Sequence, residues 1–235
     1  MISIELSYEM FEVLQLLVRS GAQAYSALPE RLAMLKQAQI SAALMALSKC
    51  GIIRRASSEV VLWISIEQAQ TVLEPYRVRR AVILAAGASS RMRPLTNNLP
   101  KAMVTVGEKR LIETQLDALL EAGISDVTIV RGYRGEAFDM LRSDYPGIKF
   151  IDSPTWRNSG AVVSTAQALH LLANAYLLEG DLFISDPAVV RPYEYRTTYC
   201  GVECSNSEPV KQDWFFLADT QRKITSLAFG DTSTS

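Results

Sequence analysis

Apolar residues recur at helical intervals up to about residue 50 and, beyond residue 80, gather into short continuous runs. Met10, Phe11, Val13, Leu14, Leu16 and Leu17 predict a first helix, and Ser20-Gly21 supplies its stop. A second helix is expected from 27 or 29 to 36, with Pro29 tolerated in its first turn. A third is expected from 39 to 50, carrying Ile40, Leu44 and Leu47 on one face and ended by Gly51. "GIIRRASSEVVLWIS" then offers two β-rich runs, 52–55 and 60–65, around the turn-like Ala56-Ser57-Ser58.

After "EPYRVRR", residues 74–80, the texture changes. Runs of Val, Ile and Leu at 81–85, 127–131, 148–151 and 176–179 alternate with helical stretches at 112–122, 135–143 and 160–173. That alternation predicts βαβ units and an α/β, Rossmann-like, mostly parallel sheet covered on both faces. Three helices followed by a β-ribbon resembles the winged helix-turn-helix fold. The expected organisation is therefore a small winged-helix domain at 1–78 and an α/β domain at 79–235.

Composition narrows the function. The chain has 235 residues, 49% hydrophobic and 21% charged, as in ordinary globular proteins. It has no apolar run near the ~20 residues that span a bilayer, and "MISIELSYEM" lacks a signal-type pattern, so a cytoplasmic protein without membrane insertion is expected. Cys50, Cys200 and Cys204 are an odd number and read as reduced thiols; with a single histidine in the chain, a zinc site at 200–204 is not expected. A formal net charge of −1 argues against a general polyanion binder. Within 1–76 the cations at 19, 31, 36, 49, 54 and 55 face acids at 5, 9, 12, 30, 59, 67 and 74. The would-be recognition helix "QISAALMALSKC" has one cation, so dimerisation or regulation is favoured over DNA binding, with Arg54 and Arg55 keeping the DNA reading open.

Candidate chemistry lies in "AVILAAGASSRMRPLTNNLPKAM", residues 81–103. In an open parallel sheet, ligands bind beyond the carboxyl ends of the strands. Gly87 and its small neighbours let backbone N–H groups approach phosphate oxygens there. The stretch matches neither the P-loop nor the dinucleotide fingerprint. Arg91 offers a bidentate fork for phosphate, and Lys101 a compact charge. Taken singly, a loop cation is most often just solvated; the combination carries the signal. L-A-A-G-x-x-S-R-M-x-P-L-T followed by P-K-A resembles the signature of nucleotidyltransferases that make nucleotide-activated sugars and alcohols, most of all the bacterial CTP:phosphocholine cytidylyltransferases.

The resemblance implies roles. Leu84, Ala85, Ala86, Gly87, Ala88, Ser89 and Ser90, with Gly132 and Tyr133 of "VRGYRGEAF", match the nucleotide site. Arg91 and Lys101 match catalytic cations, and Asp181 of "YLLEGDLFIS" matches the aspartate that binds Mg²⁺. Asp152, Asn158 and Trp214 of "DWFFLAD" are acceptor candidates, Trp214 through cation–π chemistry. "NSGAVVSTAQAL" departs from the family in having Ser159 for a second asparagine and no aromatics, and no second metal-binding aspartate is evident beyond Asp181. A shortened form, or a metal with fewer ligands, is expected. His170 in "ALHLL" reads as structural. The implied reaction joins CTP to phosphocholine or a relative such as 2-aminoethylphosphonate, releasing pyrophosphate. The alternatives are a sugar-1-phosphate nucleotidyltransferase and a nucleotide-sensing DNA-binding regulator. A homo-oligomer through the winged-helix segment is also expected.

Overall fold

The computed structural model describes residues 4–55, 61–64, 66–88, 92–157, 161–198, 214–219 and 224–229. Two compact units divide the chain, Met1–Thr197 and Thr198–Ser235.

In the first unit, α1 (Tyr8–Ser20) begins at Ser7, whose Oγ accepts from the Met10 amide at 3.2 Å, and ends at Gly21 with φ 71°. α2 is only Leu28–Arg31, after a 3₁₀ turn at Tyr25–Ala27, and α3 is Gln37–Lys49. The second helix is thus shorter than expected. Leu32 leaves helical geometry at φ −114° and ψ 46°, and Leu28, Leu32 and Leu35 are all buried along this irregular segment. β1 (Gln23–Ala24), β2 (Ile53–Arg55) and β3 (Val61–Ile64) form an antiparallel sheet in the order β1-β3-β2, and α4 (Ile66–Leu73) follows. Phe11, Leu14 and Leu17 of α1, Ile40 and Leu47 of α3, and Ala69 and Leu73 of α4 share one apolar core.

β4 (Arg80–Ala85) opens a second, parallel sheet with β7 (Asp126–Arg131), β8 (Lys149–Asp152) and β9 (Ala175–Glu179), in the order β8-β7-β4-β9. Between them lie the short ribbon β5 (Thr105–Val106) and β6 (Lys109–Arg110), α5 (Leu111–Glu121), a 3₁₀ segment at Gly135–Arg142 and α6 (Ala161–Gln167). Strand alternation feeds both faces. Ala81, Ile83 and Ile129 pack with Ile112, Leu116 and Leu119 of α5 and with Phe138 and Leu141. Val82 and Val130 pack on the opposite side with Ala168 and Leu171. The stretch expected as helix at 135–143 is 3₁₀, and the one from 160 breaks after Gln167, leaving His170 exposed in a 3₁₀ turn rather than in a core.

α1 is bound to residues 188–195, which follow this sheet. Arg191 gives Nη1 to both Glu12 carboxylate oxygens at 3.2 and 3.0 Å, and Nε and Nη2 to Glu194 at 3.1 and 2.6 Å. The Tyr176 hydroxyl donates to Glu194 at 2.8 Å, and burial together with that carboxylate holds its pKa well above the usual phenol range. Arg19 donates to the Ala188 carbonyl at 2.9 Å, and Tyr195 stacks on Tyr76 beside Phe11.

In the second unit, β10 (Trp214–Ala218) and β11 (Ile224–Phe229) pair antiparallel.

Candidate active site

The chain lays β4, β7 and β8 outward in one direction, then returns to place β9 on the other side of β4. The carboxyl end of β4 is therefore the point where strand order reverses and a crevice opens. Two turns close on it. The Gly180 amide donates to Leu84 O at 2.9 Å, and the Tyr133 amide to Ala86 O at 3.0 Å. Both turns need glycine. A Cβ at Gly132 would lie 2.7 Å from Ala86 O and 2.7 Å from Trp156 Cβ; one at Gly180 would lie 2.9 Å from Ala85 Cβ and 3.0 Å from Leu84 O. Gly87 is different. Nothing among the described residues lies within 4 Å of its Cβ position, and its φ is not left-handed. Neither the described residues nor the backbone demand glycine there, so the strand end presents main chain that no described side chain covers.

Lys101 and Asp181 meet at this end. Lys101 opens a 3₁₀ turn, Lys101–Met103, whose neighbours Ala102 and Met103 are buried in the sheet's core and fix where it stands. Its Nζ donates to Asp181 Oδ2 at 2.5 Å, across 80 residues of sequence. The pair is about one-third exposed, 32% for Lys101 and 36% for Asp181, and so remains open to a ligand.

Gln115, which no motif in the sequence singles out, holds the Asp181 turn from beneath. Its side chain is fully buried, and Nε2 donates to Glu179 O at 3.0 Å and to Leu182 O at 2.8 Å. Beside it, Thr114 Oγ1 accepts from the Ile184 amide at 3.1 Å. The signal was available in "LIETQLDALL": Gln115 falls on the apolar stripe of Ile112, Leu116 and Leu119, where a polar residue must have a buried partner.

The remaining candidates fall in different places. The Tyr133 hydroxyl donates to the carbonyls of Thr96 and Asn97 at 3.0 and 2.5 Å, clasping the loop between β4 and Lys101, while its ring meets Trp156 edge-on at 5.3 Å. Asp152 ends β8, two strands from β4, and pairs with Arg131 Nε at 2.7 Å. Ser89, Ser90, Arg91 and Asn158 lie outside the described residues, as do Cys200 and Cys204. Trp214 begins β10 of the second unit. No grouping of three or more His, Cys, Asp or Glu occurs among the described residues, and no described helix is long and apolar enough to cross a membrane.

The chain is similar to known proteins. A 2-aminoethylphosphonate cytidylyltransferase of Lancefieldella rimae is 32% identical over 156 residues, 66% of this chain and 62% of that protein. A choline-phosphate cytidylyltransferase of Streptococcus pneumoniae is 34% identical over 151 residues, 63% of this chain and 62% of its own length. The solved CTP:phosphocholine cytidylyltransferase of Streptococcus pneumoniae superposes with a TM-score of 0.59 at 34% identity, covering 66% of this chain and 65% of that one. The chain thus spans a little under two thirds of the length of these relatives. Residues 81–201, which contain the strand end, Lys101 and Asp181, match the MobA-like NTP transferase domain, and the chain belongs to that family.

Proposed function

We propose that this protein transfers CMP from CTP to a phosphorylated amino alcohol, phosphocholine or a relative such as 2-aminoethylphosphonate, and releases pyrophosphate. The observation that carries this reading is the Lys101–Asp181 pair beside the open main chain at Gly87, at the reversal of strand order. The choice of CTP and of an amino-alcohol acceptor is supported by the names of the relatives. An acceptor phosphate or phosphonate oxygen attacks the α-phosphorus, the bond from that phosphorus to the bridging oxygen breaks, and pyrophosphate leaves with the electron pair. The attacking oxygen is already anionic, so no general base is needed, and positioning and charge stabilisation supply the rate. Lys101 braces the α-phosphoryl oxygens, Arg91 takes the β and γ phosphates, and the amides of 86–88 line the phosphate cradle.

A single carboxylate next to bound phosphates suits Mg²⁺, which usually keeps one or two protein carboxylates and completes its shell from substrate and water. Asp181 is the residue that would hold it. The ion, when bound, adds charge neutralisation at the phosphates. For residues 1–78 we infer a winged helix-turn-helix-like module with a dimerising or regulatory role. Its helix order and the β1-β3-β2 sheet support that reading.

The test is pyrophosphate release with each NTP against phosphocholine, phosphoethanolamine, 2-aminoethylphosphonate and a sugar 1-phosphate. Turnover is expected with CTP and one of the amino-alcohol acceptors. Turnover with the sugar phosphate alone moves the chain to the sugar-activating enzymes, and none with any pair leaves a nucleotide sensor.

A further inference from the structure

Asp181 stands on a turn that has little of its own to hold it in place. After Glu179 the chain leaves β9, and within the turn itself the Leu182 amide reaches Glu179 O at 3.3 Å. A carboxylate on such a turn can sit in several places relative to Lys101. The Gly180 amide ties the turn to Leu84 O of β4, and a second hold comes from another element: Gln115, wholly buried in α5, spends both N–H groups of its side-chain amide on Glu179 O and Leu182 O, the carbonyls just before and just after Gly180-Asp181. The arrangement needs two donors on one buried side chain, which the amide NH₂ supplies without burying a charge, at 3.0 and 2.8 Å. Its Oε1 finds no partner among the described residues, although it is buried. A buried acceptor left unmatched is costly, so an apolar residue of similar size would serve the packing of α5 better. The residue is thus explained by what its donors do rather than by the core.

We propose that Gln115 is a positioning residue of the active site: by bridging the carbonyls on either side of Gly180-Asp181 it sets the Asp181 carboxylate against Lys101. Thr114, which accepts the Ile184 amide, extends the same hold along the chain. The inference rests on the reading of Lys101 and Asp181 as the catalytic pair, but its geometry can be tested separately. An amine whose Nζ is engaged by a neighbouring carboxylate is shielded from an acylating reagent, and it is exposed when that carboxylate moves away. Lys101 therefore reports where Asp181 is.

The experiment measures acetylation of Lys101 in the full chain, normalised to the exposed Lys36, for wild type, Asp181→Asn, Gln115→Met and Gln115→Glu, alongside melting temperature and steady-state kinetics. Asp181→Asn is expected to raise Lys101 labelling several-fold. Gln115→Met keeps the volume and removes the donors; its labelling should move most of the way toward that of Asp181→Asn, and kcat should fall roughly 10- to 100-fold, the scale of an ångström-sized misplacement. The KM for CTP should change much less. Gln115→Glu keeps the shape but offers at most one donor for two carbonyls, so its labelling should also rise above wild type. If Gln115→Met melts lower but labels like wild type, Gln115 is filling space and the proposal falls; it falls equally if Gln115→Glu labels like wild type. If Asp181→Asn turns over as fast as wild type, the catalytic reading of the pair fails instead, while the labelling still decides whether Gln115 places Asp181.

Discussion

Gly132 and Gly87 lie at the same sheet end and are glycine for opposite reasons. At Gly132 the added methyl of alanine would enter space already held by the Ala86 carbonyl and Trp156, and the resulting overpacking costs about 1–3 kcal/mol. Gly132→Ala should therefore lower the melting temperature by roughly 2–4 °C per kcal/mol in a chain of this size. At Gly87 the same methyl meets nothing among the described residues. Gly87→Ala should melt within about 2 °C of wild type, since free surface substitutions stay near ±0.5 kcal/mol, yet raise the KM for the nucleotide because the methyl would occupy the path proposed for a phosphate. Calorimetry and the pyrophosphate assay on both variants check this; a Gly87 variant that binds nucleotide normally would remove the phosphate cradle from this strand end. The resemblance to the cytidylyltransferase motifs makes Lys101 and Asp181 readable as candidates before any fold is known. Their contact is not readable, because 80 residues separate them and only the parallel pairing of β4 with β9 brings them together. Gln115 is hidden for a different reason: along a stripe of apolar positions, a buried amide looks like a gap in the pattern.

Among the elements, the Val/Ile/Leu strands are legible to within about a residue: β4 and β7 are buried almost throughout, and the edge strands β8 and β9 keep short apolar runs although Leu177 is exposed. β1 is not legible. Two residues carry no periodicity, and β1 exists through its pairing with β3. α4 escapes notice because it follows β3 with only one residue between and no Gly or Pro to mark the change, although Ala69 and Leu73 are buried at helical spacing. The joint between α1 and residues 188–195 is equally invisible, since Glu12 and Arg191 look like ordinary charges in sequence. In the fold Glu12 is 12% and Arg191 29% exposed, and Arg191 is shared between Glu12 and Glu194. A double-mutant cycle of Glu12→Gln and Arg191→Met, measured by urea unfolding, should give a coupling of about 1–3 kcal/mol, the range for contacting residues in one network. Additive effects would mean that the pair contributes no more than an exposed surface bridge.

For the molecule as a whole, surface charge bears on what the helical segment before β4 does beside the parallel sheet. The face α3 leaves in water carries Ala38, Ala42, Met45 and Ser48, with Lys49 as its single cation. A helix that reads base edges needs Arg, Asn or Gln along that face, and neutralising several phosphates needs a basic surface. The glutamines of α3, Gln37 and Gln39, are confined to its first turn, where Gln39 accepts from the Lys36 amide and donates to Glu9. Arg54 and Arg55 of β2 are exposed but stand beside a segment with more acids than cations. Contacts to phosphate alone weaken steeply with salt, by roughly 10³- to 10⁵-fold between 50 and 200 mM for a protein making 6–10 of them, and proportionally less for two or three. The full chain should therefore show weak retention on duplex DNA at low salt, indifferent to sequence and gone by about 200 mM. Changing Arg54 and Arg55 together to Gln should abolish the retention without changing pyrophosphate release, because both residues belong to β2, in a different sheet from β4, at whose end the candidate pair stands. Fluorescence anisotropy with two unrelated duplexes across a salt series measures this directly. Tight binding to one duplex at about 200 mM salt would show instead that the module reads sequence, and would make the nucleotide site the sensor of a DNA-binding regulator.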